Sequence, residues 1–143
     1  MKTPALLLSF LVLFLASCTV EPEPIQYGKD ECHFCKMGIV DAQHGAELVN
    51  THGKCFKFDA IECMVQFLHA NPTKEFGMFL VNDYSNPGAL IDAQVAHFLV
   101  SKEIPSPMGA DLSAFANEAD AKSTHESHGG KLYDWQGISE YLE

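Results

Sequence analysis

The residues best equipped for chemistry lie in Cys32-His33-Phe34-Cys35-Lys36-Met37-Gly38, where two thiols, an imidazole and a thioether fall within six consecutive positions. Polarisable sulfur donors match soft, thiophilic ions, Cu(I) above all. Zinc takes thiolate and imidazole but has little use for a thioether, so Met37 tilts the choice toward copper. A structural zinc half-site and a Cys-x-x-Cys disulfide stay open, because the cysteine pair alone is a common pattern. In a copper site Cys35 would supply the anionic thiolate, its deprotonation favoured by the metal. Met37 would add a thioether without adding charge. An extended segment puts residues i and i+2 on one side, so both sulfurs can face one ion. Met108, in the stiff loop Pro105-Ser106-Pro107-Met108-Gly109, is the first choice for a third ligand, with Cys32 and His33 next.

Other candidates have structural explanations. Cys63 and Met64 fall on the apolar face of a helix and Met78 in an apolar strand, so all three read as core. Cys55, mid-strand, can bridge Cys63 or fill space, and geometry decides between them. His125-Glu126-Ser127-His128 is a weak secondary metal candidate in a polar segment that reads as loop. His44, His52, His69 and His97 show no mutual spacing. Asp59 reads as a helix cap, and Asp83 and Asp92 as turn formers. No Ser-His-Asp order, HExxH or phosphate-cradling loop is present, so the sequence lends catalysis no support.

The elements that must position these residues are readable from Ala46 onward. Ala46 to Thr51 and Lys54 to Phe58 read as two strands around a His52-Gly53 turn. Ile61, Met64, Val65 and Leu68 recur at helical spacing until Asn71-Pro72 ends the run. Met78 to Val81 is a further strand, Asn82 to Gly88 a turn-rich connection, and Ala96 to Val100 another strand. The spacing of Leu112, Phe115, Ala116 and Ala119 predicts a helix over 111–122. Lys131 to Trp135 then reads as a strand and Ile138 to Leu142 as a last helical turn or two.

The chain begins with a basic residue, an apolar run of about a dozen positions and Leu15-Ala16-Ser17-Cys18, the pattern of an export signal. A cysteine after Leu-Ala-Ser resembles a lipobox, which makes 1–17 a lipoprotein signal peptide and Cys18 the acylated first residue. A membrane-anchored lipoprotein facing the periplasm follows, and Thr19 is compatible with sorting to the outer membrane. Residues 18–27, with Glu21-Pro22-Glu23-Pro24, read as a stiff tether. With 9 basic against 19 acidic side chains, the chain disfavours nucleic acid and anionic lipid as partners, leaving the lipid as its membrane contact. The cysteines other than Cys18 could form two bridges or a metal site in that oxidising compartment.

Gly53 to Ile61 echoes Gly130 to Ile138, with Gly, Lys, two aromatics and Ile in register. A repeat implies a duplicated unit. An α+β fold of two similar ββαβ-type modules follows, the first over 28–88 with the sulfur-rich stretch in front of it and the second over 89–143.

The runs Cys32–Met64, Val81–Val100, Ser106–Ser123 and His128–Trp135 together resemble the NosL family of copper-binding lipoproteins. That resemblance implies two ββαβ-type modules, and a Cu(I) site at Cys35-Lys36-Met37 through the family's Cys-x-Met element. It also implies a copper chaperone, not an enzyme, that delivers Cu(I) to an apo-enzyme or its assembly proteins, namely in maturation of nitrous oxide reductase. The rival functions are an extracytoplasmic Cys-x-x-Cys thiol–disulfide oxidoreductase and a structural zinc or disulfide lipoprotein. Against the first, the expected helix N-terminal setting for such a cysteine pair is missing.

Overall fold

A computed structural model describes residues 20–143. Cys18 and the segment 1–17 lie outside the described residues. Two antiparallel sheets share one core. The first has the order β2-β1-β3-β4 and the second β6-β5-β7. β1 (Ala46–Asn50) and β2 (Cys55–Phe58) form the expected hairpin, with Leu48 opposite Phe56 and Ala46 opposite Phe58. Its turn is closed by Asn50, whose Oδ1 accepts from the backbone N–H of both His52 and Lys54. α1 (Ile61–Ala70) follows, and β3 (Phe76–Asp83) returns antiparallel beside β1.

β4 (Asn86–Asp92) pairs with β3, and the two strands take up both ends of what reads in sequence as a turn-rich connection, leaving Tyr84 and Ser85 as the turn. Asn86-Pro87-Gly88 is strong turn chemistry, yet an edge strand tolerates proline because one side of its backbone needs no partner. β4 also runs across position 88/89, where the sequence pattern puts the boundary between two modules.

β5 (His97–Val100) is central in the second sheet, flanked by β6 (Leu112–Phe115) and β7 (Lys131–Tyr133). α2 (Glu118–His128) lies between β6 and β7 in sequence, and α3 (Trp135–Tyr141) ends the chain. Each sheet thus centres on a strand flanked by its hairpin partner and by the strand that follows a helix. The echo of Gly53 to Ile61 in Gly130 to Ile138 does not follow that topology. It matches β2–α1 with β7–α3, which hold different places in the two sheets.

The helix expected over 111–122 is corrected. Leu112 to Phe115 is strand β6, fully buried, and the helix begins only at Glu118. Leu112, Phe115, Ala116 and Ala119 mimic helical spacing, but cross-strand pairing with Val100 and His97 decides the conformation. Asp111 enters the strand at φ 57°, which breaks any helix there. The segment His125 to His128 is accordingly the end of α2 and not a loop.

The main core joins Leu48, Phe58 and Val81 of the first sheet and Ile61, Met64 and Val65 of α1 to Phe98, Leu112 and Ala114 of the second sheet. A smaller cluster of Leu99, Ile104, Phe115 and Ala121 sits on the α2 side. Met78, read as core, is only half-buried.

The segment read as a tether is also different. Residues 20–25 lie along the first sheet instead of standing free of it. The Glu23 N–H donates to Glu47 Oε1 at 2.9 Å, Lys57 Nζ donates to the Pro24 carbonyl at 3.1 Å, and Ile25 is buried. Glu47 and Lys57 are register partners on one sheet face, so the segment lies over that face. The prolines keep it extended, and a flat sheet gives an extended chain a place to bind.

Candidate metal centre

The Cys32–Gly38 stretch is a knuckle, not an extended strand. Glu31 bridges Gly38, the Cys32 N–H donates to the Met37 carbonyl at 2.7 Å, and the Lys36 N–H donates to the Cys32 carbonyl at 3.0 Å. Lys36 sits in the left-handed region at φ 67°. The alternation expected for Cys35 and Met37 therefore does not hold, because a turn residue separates them. The knuckle is hung from β2 by the His33 N–H, which donates to the Lys57 carbonyl at 2.7 Å.

This turn drops Cys32 and Cys35 onto the start of α1, where Asp59 and Cys63 wait. One ligand atom from each of Cys32, Cys35, Asp59 and Cys63 lies within 4.8 Å of every other. Cys32 and Cys63 are fully buried, and all the described thiols are free. Cys35 alone of the four is partly exposed, so it marks the open side. The Cys35 thiol donates to Asp59 Oδ1 at 3.4 Å, and the Cys35 N–H donates to Cys32 Sγ at 3.5 Å.

Electrostatics separate the thiols. Cys32 is brought down to about 6, chiefly by the hydrogen bond from Cys63 and against the opposing effect of burial, with backbone N–H groups helping. Cys63 moves up, because the Cys32 thiolate beside it and burial both disfavour a second negative charge. Cys35 also moves up, first through burial. The pair Cys32–Cys63 thus shares one proton, and the resting thiolate is Cys32.

The structure places the expected site residues unequally. Cys32 and Cys35 come together. Met37 lies on the same knuckle with its side chain 56 % exposed. Met108 is on the turn closed by the Gly109 N–H to the Ser106 carbonyl, and is 42 % exposed. Its loop is tied to the first turn of α1, where buried Glu62 accepts from the Ser106 hydroxyl and the Ala110 N–H. Both methionine-bearing turns are therefore anchored to the same end of one helix. His33 is not in the thiol cluster. Its ring stands edge-on to Phe56 and Phe67, with centroids 4.8 and 5.2 Å away. Burial and the ammonium groups of Lys36, Lys54 and Lys74 push it toward the neutral form.

Two members of the cluster escaped the sequence reading. Cys63 belongs to the apolar face of α1, but that face meets the knuckle as well as the core. Asp59 does not cap α1: the N-cap residue is Ala60, with no side-chain cap bond, and the Asp59 carboxylate turns to Cys35 instead. The visible signal was the pair Asp59 and Cys63 at i and i+4, one helical turn apart, downstream of a Cys-x-x-Cys. Cys55 bridges nothing. It lies on the opposite sheet face near Glu47 and the Glu21 carbonyl, and burial with that carboxylate pushes it to about 11.

A second polar array appears that the sequence order hid. Asp41 Oδ2 meets His44 Nδ1 at 2.8 Å, and His44 Nε2 meets Ser113 Oγ at 3.2 Å. Ser113 is fully buried in β6, so no substrate can reach its hydroxyl, and the array staples the entry to β1 against the second sheet. His125 and His128 sit on α2 with no partner ligands around them, since the thiol-carboxylate cluster is the one donor group of that kind among the described residues.

The sequence profile of the NosL family matches residues 24–142. A protein described as copper-binding lipoprotein NosL, from Stutzerimonas stutzeri, is 30 % identical over 129 residues, covering 84 % of this chain and 68 % of that protein. The crystal structure of the copper chaperone NosL from Shewanella denitrificans superimposes with a TM-score of 0.70 at 26 % identity, covering 82 % of this chain and 95 % of the other. The mixed α+β architecture is the one found there.

Proposed function

Because the chain belongs to the NosL family, we propose that it is a copper chaperone which carries Cu(I) at the Cys32–Cys35 knuckle. The observation that supports this most is the meeting of three thiols and one carboxylate within 4.8 Å, with a single partly exposed member. Soft donors select Cu(I), and the donor set here is sulfur-dominated. Cys32, already a thiolate, is the first anchor, and Cys35 at the open side is the second. Met37 and Met108, exposed on turns fixed to α1, are the neutral sulfurs that can close the coordination from outside. His33 takes no part, since its ring is committed to phenylalanines.

The surroundings of the thiols suit loading and release. Asp59 Oδ1 accepts the hydrogen bond of the Cys35 thiol, which sets the thiol at the open side, where its proton leaves as the ion binds. Cys63 holds its own proton against Cys32 Sγ, so the buried pair carries one negative charge rather than two. That limit matters, because uncompensated buried charge is expensive. Exchange proceeds at the exposed sulfurs, where an incoming ligand can join before the buried ones let go.

The lipoprotein reading of Cys18, an outward-facing anchored location and delivery to nitrous oxide reductase extend the same proposal. They rest on the export signal and on the family resemblance. A closed zinc site is the alternative favoured by one feature, the Asp59 carboxylate, since three thiolates and a carboxylate also suit tetrahedral Zn(II). Competition of the reduced, purified chain against a chromophoric Cu(I) chelator tests the carrier. One tightly held Cu(I) is expected, lost in Cys35→Ser and in Cys32→Ser and weakened in Met37→Ala. Wild-type affinity in Cys35→Ser, or preference for Zn(II) under the same conditions, overturns the copper assignment. Reduced copper loading of nitrous oxide reductase in cells carrying Cys35→Ser would be the expected result for delivery.

A further inference from the structure

Beside the knuckle lies a groove of about 570 Å³, bounded by the β1–β2 turn and the segment entering β3. Its aromatic wall is Phe56 and Phe76, with ring centroids 5.7 Å apart, and the His33 ring completes it. Lys54 Nζ stands 5.1 Å from the centre of the Phe56 ring, and Lys74 Nζ 4.9 Å from that of Phe67. The chain as a whole carries a formal net charge of −10, yet Lys36, Lys54 and Lys74 gather around His33. Among the described residues the lysines in ion pairs are Lys57 and Lys122, so Lys54 and Lys74 are not neutralised by the fold. Glu75 is the one carboxylate in the lining.

We propose that this groove is the docking site for an acidic, aromatic-bearing segment of the protein that exchanges copper with this chain. The proposal rests on the carrier reading for the identity of the partner. Charge complementarity chooses the occupant: an aromatic ring can lie against the wall formed by Phe56 and Phe76, and flanking carboxylates meet Lys54 and Lys74. The groove volume lies within the ~300–1,000 Å³ range of sites that hold an anchored ligand group. The Phe56 and Phe67 rings hold the two ammonium groups at the groove, where carboxylates on an incoming segment can meet them. His33 lies between Cys32 and Cys35 in sequence and lines the groove in space. A segment seated there is thus brought alongside the partly exposed Cys35 and the exposed Met37. Opposite charge at such a rim mainly speeds encounter and fixes orientation.

The test uses the purified full chain, reduced and copper-free, titrated with acetyl-Glu-Glu-Phe-Glu-Glu-amide and followed by backbone amide shifts. Shifts centred on Thr51 to Phe56 and Thr73 to Phe76 are expected, with binding that weakens as salt rises. The double variant Lys54→Glu, Lys74→Glu should bind the peptide at least about tenfold more weakly, and so should wild type with a peptide carrying alanine for phenylalanine. Both lysines are exposed, so the double variant should keep its unfolding midpoint, and its Cu(I) affinity should stay within about twofold of wild type. Equal binding of the peptide by the double variant, equal binding of the alanine peptide, or displacement by sodium sulfate at matched charge concentration overturns the proposal in favour of no site or a simple anion site. A chain that holds no Cu(I) but grips the peptide overturns the carrier reading and with it the copper-exchanging partner. Loss of the peptide with copper binding intact overturns the groove alone.

Discussion

Replacing Cys63 by alanine removes the proton donor that holds Cys32 as a thiolate. A hydrogen bond to a charged group is worth about 1.5–3 kcal/mol, and one pKa unit corresponds to ~1.4 kcal/mol. The Cys32 midpoint should therefore climb by about 1–2 units from its value of about 6. Thiolate absorbance near the ultraviolet edge, measured anaerobically on the metal-free chain, reads this directly. Cys35 and Cys55, both pushed upward, titrate later and stay out of the window. The step near 6 should be absent in Cys32→Ser.

The same change has a sign in stability. Cys32 is depressed from 9.0, so the unfolded chain binds more protons than the folded one between about 6 and 9, and stability rises with pH across that interval. Its contribution is full above the unfolded value and is lost as pH falls through about 6. Between pH 6 and 8 the gain works out to about 2 kcal/mol in wild type and about 0.3–1.3 kcal/mol in Cys63→Ala. Denaturant unfolding at the two pH values measures it. Loss of one buried sulfur adds a pH-independent cost of about 1–2 kcal/mol. An unchanged thiolate midpoint in Cys63→Ala, or no titration below pH 8 in wild type, would refute the shared-proton account.

Two further expectations follow from single residues. Lys57→Met removes the ammonium that binds Asp30 at 2.9 Å and the Pro24 carbonyl at 3.1 Å; hydrogen exchange of the Glu23 amide, which donates to Glu47 Oε1, should speed up several-fold, with a stability loss of about 1–3 kcal/mol. Gly130 sits at φ 98°, and a Cβ there would lie 2.2 Å from the Val100 carbonyl oxygen; Gly130→Ala should cost about 1–3 kcal/mol or more by urea unfolding and loosen β7 from β5.

Local signals served best where sequence neighbours are also spatial neighbours. The β1–β2 hairpin and α1 are legible because His52-Gly53 writes the turn and Ile61 to Leu68 write the helix face. β6 is not, because Leu112, Phe115, Ala116 and Ala119 satisfy helical spacing while a strand partner supplied from residues 97–100 overrides it. At the site, Cys32 and Cys35 announce themselves by adjacency. Cys63 joins them from 31 residues away, a meeting set by how the knuckle hangs on β2. The position of Asp59 permits capping, and only the turn at Lys36, which aims Cys35 at it, shows the other use.

Lys57 joins two jobs in one residue. Its side chain clasps the incoming segment at Pro24, and its carbonyl carries the knuckle through His33. An acyl group on Cys18 would be separated from Glu21, whose carbonyl meets Cys55, by a stretch able to reach only about 10 Å. The domain would then ride close to the bilayer like a boat on a short mooring, with its sulfur-bearing turn held at a set height and bearing. A delivery partner would have to come to that height, and lengthening the chain between residues 18 and 21 should change who can be served without altering how tightly the cargo is held.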